Sequence, residues 1–190
     1  MRGAAPFWAQ DLLYVWFARL KRGQWFAPSA EVDSLLKRRF ARWLDPMAAL
    51  PPARFLPSRE WTRAAILLFD QVPRNLFRDD PRAYRYDPLA ESLTRAFLDH
   101  HSMAGLSEAE RQFVLMPLMH SEDRADQHLA LDLFARYAPD ALDFARSHHA
   151  MIARFGRFPA PQCRSGPPIH PSGDARDQGG VCVVGAFAAA

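Results

Sequence analysis

Cysteine is almost missing from this chain: its 190 residues include two, Cys163 and Cys182, both near the C-terminus. Residues 1–159 therefore offer neither a disulfide framework nor a thiolate metal site. No apolar run approaches the roughly 18 residues of a membrane span, because Arg19 ends the run at 12–18. The N-terminus lacks a signal-peptide pattern, so we predict a cytoplasmic protein with no membrane partner.

Charge of one sign is not concentrated anywhere. The formal net charge is +3, and no five like charges follow one another. Because a nucleic-acid surface needs a basic patch, we predict no nucleic-acid partner. The chain also lacks Gly-x-x-x-x-Gly-Lys, Gly-x-Gly-x-x-Gly, Gly-x-Ser-x-Gly and His-Glu-x-x-His. P-loop nucleotide hydrolysis, Rossmann redox chemistry and the usual serine hydrolysis are therefore disfavoured.

Helical periodicity is what the chain does contain. Apolar residues recur at helical spacing, and Ser29 and Ser58 stand where N-cap residues precede such segments. Ser107 and Glu110 have the spacing of a capping box. No segment shows a convincing strand pattern. Because the links between helices are short, we predict an all-α fold of stacked antiparallel helical hairpins.

Proline indicates where several helices end. Pro73 predicts that one helix ends at 70–72, because the residue before a proline disfavours helical geometry. The helix that Ser107 opens is predicted to run up to Pro117, and the next one to begin near Ser121.

Other boundaries follow from proline, aspartate and glycine. Residues 45–57 hold four prolines and are predicted to be a loop. Asp87 precedes Pro88 and is predicted to be an N-cap. The last helix is predicted to span 141–155 and to stop at Gly156.

Three polar segments, at 70–78, 117–123 and 154–159, carry the most information. The first follows an apolar helical run and crowds Asp, Gln, Arg and Asn together. Such side chains need hydrogen-bond partners when they are buried. In their order and spacing the three segments resemble the bacterial domain of unknown function 924 family. The resemblance runs from about Trp25 to Pro159 and implies a tetratricopeptide-like α–α superhelix.

The resemblance also implies a shared polar pocket, but no reaction and no particular cofactor. Its residues here would be Asp70, Gln71, Arg74, Asn75, His120, Glu122, Asp123, His148 and Arg157.

Each of these residues also has a purely structural interpretation. His120 with Glu122 or Asp123 suits a divalent metal or general acid–base chemistry, whereas Glu122 and Asp123 alone suit capping of a helix start. His148 is either a hydrogen-bonded core histidine or a member of the same pocket.

The arginines allow two interpretations as well. Arg74 and Arg157 could clamp a carboxylate or phosphate in two-point contact. Alternatively, either arginine could pair with Asp70, Glu122 or Asp123 and hold adjacent helices together.

The tail at 160–190 differs from the rest of the chain. It has no leucine and holds five of the nine glycines, so its plain interpretation is a disordered end beyond a single helical domain at 1–159. In the family, the proline that corresponds to Pro159 is usually followed by His-Arg-Asn, which a neighbouring reading frame could encode here. The second interpretation is therefore a frameshift near Pro159.

Three functional hypotheses follow. The first is binding of a small anionic ligand or peptide through Arg74 and Arg157. The second is a hydrolase or lyase that uses His120 with Glu122 or Asp123, and the third is a helical scaffold for a protein partner. The sequence does not set the oligomeric state.

Overall fold

The computed structural model describes residues 4–158, and within this range the chain is helical and contains no strand. The prediction of an all-α fold is confirmed. The α-helices, in chain order, are α1 Phe7–Tyr14, α2 Ala30–Phe40, α3 Leu44–Ala48, α4 Arg59–Leu76, α5 Asp87–His100, α6 Glu108–His120, α7 Arg124–Tyr137 and α8 Leu142–Phe155. A π-helical turn, Val15–Arg19, extends α1, and 3-10 turns occupy several of the links.

Local signals fix several helix ends as predicted. The hydroxyl oxygens of Ser29, Ser58 and Ser107 accept hydrogen bonds from main-chain amides three residues later, at 3.1–3.3 Å. The Glu110 carboxylate accepts one from the Ser107 amide at 2.7 Å, which completes the capping box. Gly156 ends α8 with a left-handed φ of 72°, the conformation that favours glycine after a helix.

Two prolines lie inside helices, contrary to prediction. α4 continues through Pro73 instead of ending at 70–72, and α6 continues through Pro117. A proline inside a helix removes one hydrogen bond and costs about 3 kcal/mol or more. Both prolines are buried in the closing turns of their helices. Burial of apolar surface is the kind of contribution that can offset such a cost.

Three further boundaries were predicted wrongly. Residues 45–57 are not simply a loop, because most of α3 and a 3-10 turn at Pro52–Phe55 lie within them. α7 begins three residues after Ser121. Asp87 is the first residue of α5 rather than its N-cap.

α4 lies at the centre of the helical packing. It contacts α1, α2, α5 and α6, and each helix from α4 to α8 packs against the next one along the chain. Every residue of α4 from 62 to 73 is buried, including several polar ones. Since buried polar groups need partners, the buried polar residues of α4 and the groups they bind form a candidate functional site. The finer prediction of a tetratricopeptide-like superhelix stays a prediction.

The tail lies outside the described residues, so the domain boundary at 159 and the frameshift stay predictions. Among residues 4–158, no helix has both the length and the apolar character of a membrane span.

Candidate functional site

A buried carboxylate forms the centre of the candidate site. Asp70 lies in α4 with 1% of its side chain exposed. Its Oδ1 accepts a hydrogen bond from Nδ1 of His120 at 2.7 Å, and its Oδ2 accepts one from Nε2 of Gln71 at 2.6 Å. Both oxygens therefore have partners, which is the condition for keeping a charge this deeply buried.

Arg74 connects this carboxylate to α5. Its Nη1 lies 3.2 Å from Oδ1 of Asp70, and its two terminal nitrogens donate to the Asp87 carboxylate at 2.9 Å each. Burial opposes ionisation of Asp70, but the charges of Arg74 and His120 outweigh it and hold the pKa of Asp70 well below its usual range. The Arg74 guanidinium is therefore committed to two carboxylates, as the structural interpretation of this residue predicted.

α5 contributes three charged residues that sequence reasoning missed. Asp87, Glu91 and Arg95 are four residues apart and share one face of the helix. Asp87 pairs with Arg74, and Arg95 pairs with Asp126 of α7, so Glu91 lies between two ion pairs. Burial and the nearby carboxylates of Asp126 and Asp87 raise the pKa of Glu91 to about 7. The regular spacing of charges along α5 is the signal that could have identified them.

His148 of α8 brings a second imidazole to the cluster. Its ring centroid lies 5.7 Å from that of His120. Its Nδ1 donates to the Phe144 carbonyl oxygen at 2.8 Å, so Nε2 of the neutral ring keeps a lone pair. Burial and the charge of His120 lower the pKa of His148 to about 4, so this ring is neutral at pH 7.

Two of the predicted site residues serve the backbone instead. Asp123 caps α7 by accepting hydrogen bonds from two amides of its first turn, at 2.7 and 3.2 Å, so the capping interpretation is confirmed. Glu122 is exposed and accepts a hydrogen bond from the Phe158 amide at 2.8 Å. His120 ends α6 rather than beginning the next helix, and its carboxylate partner is Asp70.

Asn75 and Arg157 also lie apart from the carboxylate at the centre. The Asn75 Oδ1 accepts a hydrogen bond from Arg78 at 2.9 Å, and Arg78 pairs with Asp33 of α2. Arg157 is exposed, and no carboxylate of residues 4–158 pairs with it. The structure therefore gathers part of the predicted pocket around Asp70, namely Gln71, Arg74, His120 and His148.

The side chains of this cluster are of the kinds that can exchange protons. It combines a buried ion pair, two imidazoles and a carboxyl group with a pKa near neutrality. In the part of the chain that the structure describes, no three histidine, cysteine or acidic side chains lie close enough to hold a metal ion.

A family model described as a bacterial protein of unknown function (DUF924) matches residues 8–161. The chain belongs to this family. The resemblance drawn from the three polar segments is thereby confirmed. A solved structure described as a protein of unknown function from Agrobacterium tumefaciens is 32% identical, with a TM-score of 0.74, over 79% of this chain and 85% of that chain. No curated protein matches the chain.

Proposed function

We propose that this family member is an acid–base enzyme, a hydrolase or lyase, in which His120 exchanges the proton. The observation that carries the proposal is the 2.7 Å hydrogen bond between His120 Nδ1 and buried Asp70. An ionised carboxylate only accepts, so Nδ1 of His120 carries a proton, and loss of the proton on Nε2 leaves a lone pair there. His120 can then take a proton from a substrate or water, while Asp70 stabilises the imidazolium that forms.

The neighbouring groups support the same chemistry. Glu91, whose pKa is raised to about 7, gains and loses a proton near neutral pH. General acids and bases work best when their pKa lies close to the operating pH. Ion pairs that only support packing shift pKa values too, so the test has to distinguish a loss of activity from a loss of folding.

The charges of the cluster favour a neutral or cationic substrate. It holds four carboxyl groups and two guanidinium groups: Asp70, Asp87, Glu91, Asp126, Arg74 and Arg95. Both guanidinium groups already pair with carboxylates, so neither is free to clamp an anion. Binding of an anionic ligand or peptide through Arg74 and Arg157 gains no support from these contacts and stays a prediction, as does the scaffold hypothesis.

The test compares wild type with His120→Gln and a matched control, His100→Gln, which changes an exposed histidine at the end of α5. The substrates are chromogenic esters, amides and phosphate esters, together with hydroxy acids whose dehydration gives an ultraviolet-absorbing product. We expect turnover in one class, a kcat lower by about 100-fold or more in His120→Gln, and no change in His100→Gln. Equal rates for wild type and folded His120→Gln in every class would refute the proposal.

A further inference from the structure

A second group of basic side chains lies between α7 and α8. Arg124, His128 and His149 line a cavity of about 230 Å³, and Ile152 and Ala153 complete its wall. We propose that this cavity binds a small oxyanion, the phosphate or carboxylate group of a ligand. The site is separate from the Asp70 cluster and does not depend on the proposed enzyme activity.

α7 supplies an uncommitted cation and an oriented imidazole. Arg124 and His128 are one turn apart on the same face of the helix. The His128 Nδ1 donates to the Arg124 carbonyl oxygen at 2.8 Å, which holds the ring in place and leaves Nε2 available. The Arg124 side chain is exposed, and within residues 4–158 it pairs with no carboxylate.

α8 supplies the third polar group. The His149 ring meets the His128 ring edge to face, with centroids 4.9 Å apart. Its Nδ1 is buried and has no hydrogen-bond partner among the described residues. His148 and His149 thus face two different sites from adjacent positions of one helix.

The residue types select an anion over the other ligand classes. A guanidinium group and the free N–H of a protonated imidazole are donors that bind phosphate and carboxylate oxygens, so His128, whose Nδ1–H is already used, contributes through Nε2 in its protonated form. Two histidines could also bind a metal cation, but the positive charge of Arg124 repels one. The cavity is smaller than the roughly 300–1,000 Å³ of drug-sized sites, so the ligand is a small one.

The experiment titrates histidine-labelled protein with inorganic phosphate and, separately, with acetate, at constant ionic strength. NMR spectra follow the imidazole signals, which single histidine variants assign. We expect saturable shifts at His128 and His149 and none at His120 or His148. Tighter binding of phosphate would assign a phosphate ligand, and tighter binding of acetate a carboxylate ligand.

Two arginine variants complete the test. Arg124→Ala should weaken binding by about tenfold or more, since it removes the charge-assisted contact. Arg38→Ala, which removes an exposed arginine from α2, should leave binding unchanged. Shifts that do not saturate, shifts centred on His120, or equal affinities of the two arginine variants would each overturn the proposal.

Discussion

Replacing Asp70 with asparagine should destabilise the domain by about 3–5 kcal/mol, the usual cost of removing one partner from a buried ion pair. In the native protein the two carboxylate oxygens accept hydrogen bonds from His120 and Gln71, and Oδ1 also lies 3.2 Å from Arg74. The asparagine amide would turn one acceptor into a donor and bring it against an existing donor. Arg74 would also lose one of its two carboxylate partners, although Asp87 remains.

Urea unfolding followed by tryptophan fluorescence measures this effect, because the chain has five tryptophans. With a slope of about 2 kcal/mol per molar urea, the midpoint should fall by about 1.5–2.5 M without a change in slope. Asp143→Asn is the matched control, since that carboxylate is 90% exposed. Its effect should stay within about 0.5 kcal/mol.

The pH dependence checks the electrostatic origin of the loss. The pKa of Asp70 is lowered by folding, so its ionisation stabilises the native state fully above the ordinary value of 3.8, and this stabilisation is lost as pH falls toward the folded-state pKa. The difference between wild type and Asp70→Asn should therefore shrink below about pH 4. A cost no larger than that of Asp143→Asn, or a difference that persists unchanged in acid, would refute the reasoning.

Two further predictions concern the neighbouring titratable groups. Burial lowers the pKa of His148 from 6.5 to about 4, so the free energy of unfolding should fall as pH drops from 6.5 toward 4. In urea unfolding, His148→Phe should therefore lose less stability than wild type between pH 7 and pH 5. An NMR midpoint of this ring near 6.5 would contradict that expectation. Folding raises the pKa of Glu91 from 4.5 to about 7, so its contribution to stability is present below 4.5 and is lost as pH rises through 7. Glu91→Gln should accordingly stabilise the protein at pH 8 by about 1 kcal/mol, since water screens a half-buried carboxylate, and an unchanged melting temperature there would count against the shift.

Local signals explain how much of the fold could be predicted. Ser29, Ser58 and Ser107 satisfy free amides within three residues of themselves, and Gly156 adopts a conformation that other residues avoid. These are short-range effects, so the helix ends that they fix could be predicted from the sequence. Pro73 was misread because its cost depends on how strongly the whole of α4 is buried, which no local pattern expresses.

The candidate site divides in the same way. The residues alone indicated that Asp70, Arg74 and His120 belong to a group of polar side chains that need partners when buried. Their pairings follow from how the helices pack, because Asp70 and His120 are 50 residues apart and meet where α4 and α6 lie side by side. Glu91 was missed since its pKa depends on burial and on carboxylates elsewhere in the fold. Capping by Asp123, in contrast, was one of the two interpretations that the sequence offered, because its partners lie in its own helix.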